Sequence, residues 1–170
     1  MDSTPPLAGV RSRDVLRTLR AARVAPCRRS DRKASKPAMT TKPLPRIALL
    51  AVPHSTVSTL YGMYDLFASA GRDWSFVVDG RVGEPLLEPR IVARTTERFE
   101  AGNGVRIEAH ETLDEAGVPD VVCIPDLMVE PDAELRERYA EEIAWLRRCA
   151  AGGAQFATAC SGAMLLAEAG

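Results

Sequence analysis

Cysteine and histidine are scarce in this sequence, and their spacing is not that of a metal site. The 170 residues contain four cysteines and two histidines, with no Cys-x-x-Cys pair. Structural zinc sites need such pairs, or cysteines and histidines at comparable spacing, because the ligands must reach one ion. We therefore expect no metal, no cofactor and no disulfide framework, and we predict free thiols at Cys27, Cys123, Cys149 and Cys160.

Long apolar runs are also missing. No run approaches the ~20 consecutive apolar residues that a membrane-spanning helix needs. We also predict no signal peptide, since no basic stretch near residue 1 is followed by an apolar segment and a small-residue cleavage site. These two absences predict a cytoplasmic location and no membrane partner.

The chain as a whole lacks a large net charge, but its two parts differ strongly in charge. The net charge is −1, whereas residues 1–45 hold eleven Lys and Arg against three Asp and Glu and the remainder carries −9. Because residues 1–45 are rich in Arg, Pro and Ser and poor in apolar residues, we predict a disordered basic arm. A nucleic-acid-binding arm and a targeting peptide are the functional alternatives. Met39, close to the first predicted strand, is an alternative start.

Residues 46–170 alternate between strand-like and helix-like patterns. Continuous apolar runs of strand length predict strands that are buried on both faces, and apolar residues three or four positions apart predict amphipathic helices. This alternation predicts a doubly wound, mostly parallel α/β sheet flanked by helices, as in flavodoxin-like folds. The predicted strands are 47–52, 74–78, 120–124 and 155–159, the helices are 57–70 and 133–150, and 89–94 with 104–109 form an antiparallel excursion around AGNG.

Three predicted strands end in polar or reactive residues. Pro53-His54-Ser55 follows the first strand, Pro125-Asp126 follows the strand at 120–124, and Cys160-Ser161 follows the last. The carboxyl ends of parallel strands meet at one edge of a sheet, where ligands of such folds bind. The sequence therefore predicts that these segments converge on one site.

The stretch ATACSGAMLLAEAG at 157–170 places Cys160 between a buried strand and the start of a helix. A residue in such a tight turn exposes its side chain, and the first helical N–H groups favour a thiolate there. Small residues on both sides suit the close approach of strand and helix. We predict a nucleophile elbow at Cys160, whereas Cys123 and Cys149 fit the ordinary role of buried small hydrophobes.

These residues carry a resemblance to a known family. ATACSGAMLLAEAG resembles the cysteine elbow of the ThiJ/PfpI family, in the class I glutamine amidotransferase-like superfamily, and in particular the N-terminal domain of AraC-type regulators of the GlxA kind. IALLAVPHSTVSTLYGMYDLFASAGRDW and PDVVCIPDLMVEPDAEL are similar to the corresponding segments of that family. The likeness covers residues 46–170 and implies a domain that is incomplete at its C-terminus.

The departures from the family pattern decide the implied function. Family enzymes usually hold a glutamate on the first helix beside the thiol, where this sequence has Thr59 next to Ser58. Pro125 is followed by Asp126 instead of the Gly-Gly that can form an oxyanion hole, and a negative charge suits such a hole poorly. The family's site histidine would lie beyond Gly170. His54 and Asp126 are then the only nearby candidates for a base.

The resemblance implies a ligand-sensing or dimerisation domain of an AraC-type transcriptional regulator, without its helix-turn-helix DNA-binding domain. We expect a small-molecule effector, a homodimer and no direct nucleic-acid contact by this segment. The alternatives are a stand-alone cysteine enzyme of isonitrile-hydratase-like or glyoxalase-like type, and a non-functional fragment. The predicted nucleophile is Cys160, and the predicted pocket residues are His54, Ser55, Thr59, Asp126 and Ser161.

Overall fold

A computed structural model of the protein describes residues 43–130 and 132–170. The predicted basic arm lies outside the described residues, apart from positions 43–45, and so does Met39. Among the described residues, no helix has the length and apolar character to cross a membrane.

Five parallel strands form the main sheet. The strand order is β5-β2-β1-β6-β7, and a separate antiparallel hairpin pairs β3 with β4. The strands are β1 Arg46–Leu50, β2 Glu88–Ala93, β3 Phe99–Glu100, β4 Arg106–Ile107, β5 Glu111–Thr112, β6 Val121–Ile124 and β7 Gln155–Thr158.

Within residues 43–130 and 132–170, six helices accompany these strands, and the predicted doubly wound parallel sheet flanked by helices is confirmed. The order places a topological switch point between β1 and β6, which is where ligands of such folds bind. The helices are α1 Val57–Ser69, α2 Asp73–Asp79, α3 Leu113–Ala116, α4 Leu135–Arg138, α5 Ala140–Ala151 and α6 Gly162–Ala169.

The two faces of the sheet have separate apolar cores because successive side chains of a strand point to opposite faces. In β1, Leu49 packs in one core with Leu60 of α1, whereas Leu50 packs in the other with Leu146 of α5 and Leu165 of α6. All five side chains are buried. The continuous apolar run that predicted a strand at 47–52 therefore reflects burial on both faces.

The predicted strand at 74–78 is wrong, because this segment is helix α2. Its apolar run is too short to separate strand from helix by pattern alone. Asp73 lies in the first turn, where its carboxylate interacts favourably with the positive end of the helix dipole. Gly80, with φ of 67°, ends the helix and donates its N–H to Phe76 O at 2.9 Å.

The predicted antiparallel excursion is only partly correct. Residues 89–93 lie in β2, which pairs in parallel with β1, and residue 94 directly follows this strand, so 89–94 is not part of an excursion. The antiparallel partners are β3 and β4, joined through a 3-10 turn at Gly102–Gly104 in which Asn103 has a φ of 65°. Asparagine tolerates this left-handed conformation better than most residues. The turn was predicted and β4 lies within the predicted 104–109, but the strand before the turn was misplaced.

The predicted helix at 133–150 is interrupted at Tyr139, whose φ of −118° separates α4 from α5. The inward positions were predicted correctly, because Leu135, Tyr139, Ile143 and Leu146 are all buried. The break matters for the site, since it brings Tyr139 and the ends of both helices over the carboxyl ends of β1 and β2.

Candidate functional site

The loops after β1 and β6 are joined across the switch point by main-chain hydrogen bonds. The N–H of Thr56 donates to Asp126 O at 2.9 Å, and the N–H of Met128 donates to His54 O at 2.7 Å. Beyond β6, the N–H of Ala159 donates to Ile124 O at 2.9 Å as β7 ends. The three segments that sequence analysis expected to converge therefore lie side by side.

Cys160 occupies a strained turn between β7 and α6. Its φ is 47°, an unusual value for a residue with a side chain, and its side chain is exposed. Gly162 follows where the helix approaches β6 closely, and a Cβ there would stand 2.6 Å from Ile124 O and closer still to Pro125 O. Glycine is therefore required at this position to keep Cys160 in its turn.

Ser161 fastens this turn to the loop after β6. Its hydroxyl donates to Leu127 O and accepts from the Leu127 N–H, both at 2.8 Å. Both hydrogen-bonding groups of Leu127 are satisfied by this one side chain. Ser161 was predicted to line a pocket, but its hydroxyl is used in these two hydrogen bonds, which hold two loops together.

We expect Ser161→Ala to lower the free energy of unfolding by about 1–3 kcal/mol, because it leaves the backbone N–H and C=O of Leu127 without partners. Urea unfolding followed by circular dichroism measures the change. Ser69→Ala is a matched control, since the Ser69 hydroxyl makes one exposed bond to Leu66 O. Equal effects of the two substitutions would contradict the proposed fastening role.

Asp126 and Thr59 lie together at the start of α1. Partial burial acts to raise the pKa of Asp126, but the neighbouring hydroxyls of Thr56 and Thr59 and its own backbone N–H outweigh burial and hold that pKa below its usual value. The carboxylate is therefore ionised at neutral pH, and its contribution to stability is lost only as the pH falls through the lowered pKa. Thr59 thus lies beside a carboxylate that comes from the loop after β6.

Ser55 is fully buried, and its hydroxyl is used within its own turn. The N–H of Val52 donates to Ser55 Oγ at 3.0 Å, while the N–H of Ser55 donates to Val52 O at 2.9 Å. This pair of bonds closes the turn after β1 and sets the direction in which His54 leaves the sheet.

A cavity of about 240 Å³ lies beyond the carboxyl ends of β1 and β2. The hairpin residue Phe99 covers one side of it, and the junction of α4 and α5 covers another. Its walls combine apolar surface with charged and hydrogen-bonding groups. The lining residues are Ala51, Pro53, His54, Ala93, Arg94, Thr95, Phe99, Arg138, Tyr139 and Glu142.

His54 and Tyr139 form a hydrogen-bonded pair in this cavity. The Tyr139 hydroxyl lies 2.5 Å from His54 Nδ1, and the two rings meet edge to face with centroids 6.0 Å apart. Burial raises the pKa of Tyr139 to about 12, so that its phenol is neutral at physiological pH. His54 thus lines a pocket as predicted, but its Nδ1 is oriented by Tyr139.

Arg94 and Glu142 form a two-point ion pair beside the cavity. Arg94 donates from Nε to Oε1 at 2.7 Å and from Nη2 to Oε2 at 2.6 Å, and Nη2 also donates to Arg138 O at 2.8 Å. The Glu142 side chain is only 2% exposed. The hydrogen bond to Glu142 is the largest cause that raises the pKa of Arg94, and this bidentate geometry is the strongest form of such a pair.

Sequence reasoning missed Arg94, Tyr139 and Glu142 as site residues. Glu142 carried a signal, because it lies seven positions after Leu135, on the stripe of α5 that was predicted to face inward. A carboxylate on an inward-facing stripe is buried, and it therefore needs a cation as its partner. The partner, 48 residues earlier in the chain, has no local signature.

Of the six predicted site residues, Ser55 is buried in the turn after β1, and the other five divide between two neighbouring places. His54 lines the cavity with the newly found residues, while Cys160, Ser161, Asp126 and Thr59 lie around the loops after β6 and β7. Cys160 is not part of the wall of this cavity.

Thiol reactivity should separate the three described cysteines. Burial raises the pKa of Cys123 to about 11 and that of Cys149 to about 11, so both resist alkylation in the folded protein, whereas exposed Cys160 reacts. The folded state holds the protons of these two thiols more tightly than the unfolded state does. The free energy of unfolding therefore falls as the pH rises from about 9 to about 11. Iodoacetamide labelling followed by peptide mass spectrometry measures the extent of alkylation at each cysteine. Labelling of Cys123 as fast as Cys160 would contradict the burial.

The parallel order β5-β2-β1-β6-β7, the cysteine turn after β7 and the cavity beyond the carboxyl ends of β1 and β2 together define an α/β protein of the ThiJ/PfpI and DJ-1 type of fold. No protein-family model matches the sequence, and neither does any curated protein. The evidence for this class of fold is therefore structural.

Solved structures agree with this fold. A ThiJ/PfpI family protein from Pseudomonas syringae superposes with a TM-score of 0.56 at 22% identity, over 82% of this chain and 55% of its own. Drosophila melanogaster DJ-1beta gives 0.57 at 16%, over 74% and 60%. An AraC family transcriptional regulator from Pseudomonas putida gives 0.54 at 16%, over 74% and 60%. The chain thus spans 55–60% of the length of these three proteins.

Proposed function

We propose that this chain is the ligand-sensing domain of an AraC-type transcriptional regulator. Control of transcription would come from a DNA-binding domain outside residues 1–170. Residues 46–170 carry a net charge of −9, which repels phosphate, so direct DNA contact by this domain is not part of the proposal. Structural similarity to an AraC family regulator supports it, and similarity to DJ-1beta keeps the enzyme alternative open.

The cavity at β1 and β2 is the observation that carries the proposal. At about 240 Å³ it is smaller than the ~300–1,000 Å³ of pockets for drug-sized ligands, so its ligand is a small metabolite. Apolar walls from Pro53 and Phe99 would hold a short carbon skeleton. A few fixed polar groups around apolar walls are the usual composition of a small-molecule site.

The charge of the cavity wall indicates an anionic ligand. Arg94 is neutralised by Glu142, but Arg138 has only a long contact of 3.9 Å to Glu130 in the described structure. Guanidinium groups bind carboxylates through paired hydrogen bonds. The Tyr139 phenol adds a neutral hydrogen-bonding group at the same wall. We therefore infer that the effector is a small carboxylate.

The surroundings of Cys160 favour sensing over catalysis. In the described structure, no hydrogen bond joins the Cys160 thiol to either group that the sequence offered as a base. His54 lines the cavity with its Nδ1 against the Tyr139 hydroxyl, and Cys160 is not part of that cavity wall. A general base must lie within hydrogen-bond reach of the proton that it removes. The exposed thiol in its strained turn is the one feature that favours the cysteine-enzyme alternative.

Assays of the purified protein with methylglyoxal and with an isonitrile distinguish the two functions. The sensor proposal predicts no turnover above that of the Cys160→Ala variant. Cys149→Ala serves as the control, because it removes a buried thiol away from the turn. Turnover that persists in Cys149→Ala and disappears in Cys160→Ala would establish the enzyme and reject the proposal.

A further inference from the structure

A second cavity lies between α1 and the segment that follows β4. Its volume is about 590 Å³, which is within the ~300–1,000 Å³ of small-molecule pockets. The two cavities share no lining residue among those described. We call the second one the α1 groove: the buried residues Ile91 and Ala109 line its base, and its walls are Tyr61, Tyr64, Asp65, Glu108 and His110.

Helix α1 brings two aromatic rings and a carboxylate to one wall of the α1 groove. Tyr61, Tyr64 and Asp65 lie at positions i, i+3 and i+4 of the helix, and residues at this spacing are neighbours on one helix face. Both tyrosines are half-buried, whereas Asp65 is exposed. The wall therefore combines apolar ring surface with a negative charge that water can reach.

The opposite wall is the imidazole of His110, which backbone hydrogen bonds hold in place. The N–H of Ile91 donates to His110 Nδ1 at 2.9 Å, and the N–H of His110 donates to Ile91 O at 2.8 Å. Because Nδ1 accepts a hydrogen bond, the neutral ring carries its proton on Nε2. The imidazole also stacks on Tyr64, with ring centroids 5.3 Å apart and 17° between the planes. A wall that is already ordered loses little conformational entropy on binding.

The acidic side chains of the α1 groove set the sign of its charge. Among the described residues, Asp65 and Glu108 line the groove and no lysine or arginine does. Glu108 accepts a hydrogen bond from Arg98 Nε at 2.6 Å, but both side chains are exposed, and an exposed ion pair is weak. Asp65 forms no ion pair with any other residue in the described part of the chain. The groove thus offers a carboxylate to a cation.

The arginines nearest to this wall are paired elsewhere. Arg72 interacts with Asp65 at longer range, but its Nε donates to Asp73 at 2.7 Å. Arg90, which lies on β2, donates from Nη2 to Glu88 at 2.7 Å. Neither arginine lines the α1 groove. A positively charged ligand therefore meets two carboxylates at the wall of the groove.

We propose that the α1 groove is a second ligand site, which binds a small organic ammonium ion that carries an apolar group. The ammonium group pairs with the carboxylate of Asp65 and lies against the rings of Tyr61 and Tyr64, because aromatic faces attract cations. The apolar group packs on Ile91 and Ala109 at the base. This site is independent of the carboxylate-sensing cavity, since it has other residues and the opposite charge preference.

NMR of the histidine ring signals tests this proposal separately from the first cavity, because the chain has two histidines and each cavity contains one of them. The His54→Gln variant assigns the two signals. Titration with phenethylamine should shift the His110 signal and leave the His54 signal in place. The ligand controls are 2-phenylethanol, which is uncharged, and 3-phenylpropanoate, which is an anion. At the His110 signal both should bind at least about tenfold more weakly than phenethylamine.

Two substitutions identify the groups that bind the ammonium ion. Asp65→Asn should weaken phenethylamine binding about three- to tenfold, and Asp79→Asn is the matched control, because Asp79 is an exposed aspartate that does not line the groove. Tyr64→Leu should weaken binding about three- to tenfold, whereas Tyr64→Phe should restore it by keeping the ring. Circular dichroism establishes that each variant is folded.

Three results would overturn the proposal. The first is a His110 signal that does not move with phenethylamine at millimolar concentration. The second is 2-phenylethanol binding as tightly as phenethylamine, which would show that the groove does not recognise the charge. The third is a folded Asp65→Asn variant that binds phenethylamine like wild type.

Discussion

Arg94→Ala should lower the free energy of unfolding by about 2–4 kcal/mol. The substitution leaves the carboxylate of Glu142 buried without a cation, and breaking a fully buried pair in this way costs about 3–5 kcal/mol. The expected cost is lower here because the Arg94 side chain is 38% exposed, so water can partly solvate what remains. Chemical unfolding followed by circular dichroism measures the effect.

Two further variants separate the cost of leaving a carboxylate buried without a cation from the cost of losing an arginine. Arg90→Ala removes an exposed ion pair with Glu88 on the same strand, so we expect a cost below about 1 kcal/mol. The double variant Arg94→Met, Glu142→Leu removes both charges and should recover most of the stability that Arg94→Ala loses. If the double variant were as unstable as the single one, the ion pair would not be the source of the loss.

Gly162→Ala should be comparably damaging, with an expected loss of about 2–4 kcal/mol. A Cβ at this position meets the carbonyl oxygens of Ile124 and Pro125, which are backbone atoms and cannot turn away as a side chain can. The start of α6 must then move away from β6. We expect this movement to change the alkylation rate of Cys160 as well as the stability.

Gly62→Ala is the matched control for this prediction. Gly62 lies inside α1, and a Cβ there would meet no atom within 4 Å. Alanine restricts the unfolded chain and favours a helix, so this variant should gain about 0.5–1 kcal/mol. A loss of stability in both variants would show that the close approach at Gly162 is not the cause.

Runs of buried residues explain why part of the fold followed from sequence. The runs at 47–52 and 121–124 are apolar at every position because both faces of the sheet are covered there. Proline follows each run at once, which favours a short strand over a helix. The small residues around Cys160 marked the turn for a steric reason, which the contacts of Gly162 now explain. The strands and the turn at Cys160 could therefore be predicted, because burial and close packing at these positions constrain the residue types of the segment itself.

The failures arose where distant partners decide the structure. Residues 74–78 have apolar character that suits a strand, but in α2 they face outward instead of entering the sheet. The break at Tyr139 places its hydroxyl against His54, which lies 85 residues earlier. The pairing of Arg94 with Glu142 likewise depends on how β2 and α5 meet. Apart from the place of Glu142 on the inward-facing stripe, none of these three features is marked by the residues next to it.

Isothermal titration with pyruvate and benzoate tests the central claim most directly, with uncharged benzamide as the ligand control. We expect at least one carboxylate to bind while benzamide does not, and Arg138→Met to weaken that binding at least about tenfold, as loss of a charge-assisted hydrogen bond does. Arg136→Met is the protein control, since Arg136 pairs with Glu168 and does not line the cavity. Failure of both carboxylates to bind, or binding that Arg138→Met leaves unchanged, would contradict a carboxylate-sensing cavity.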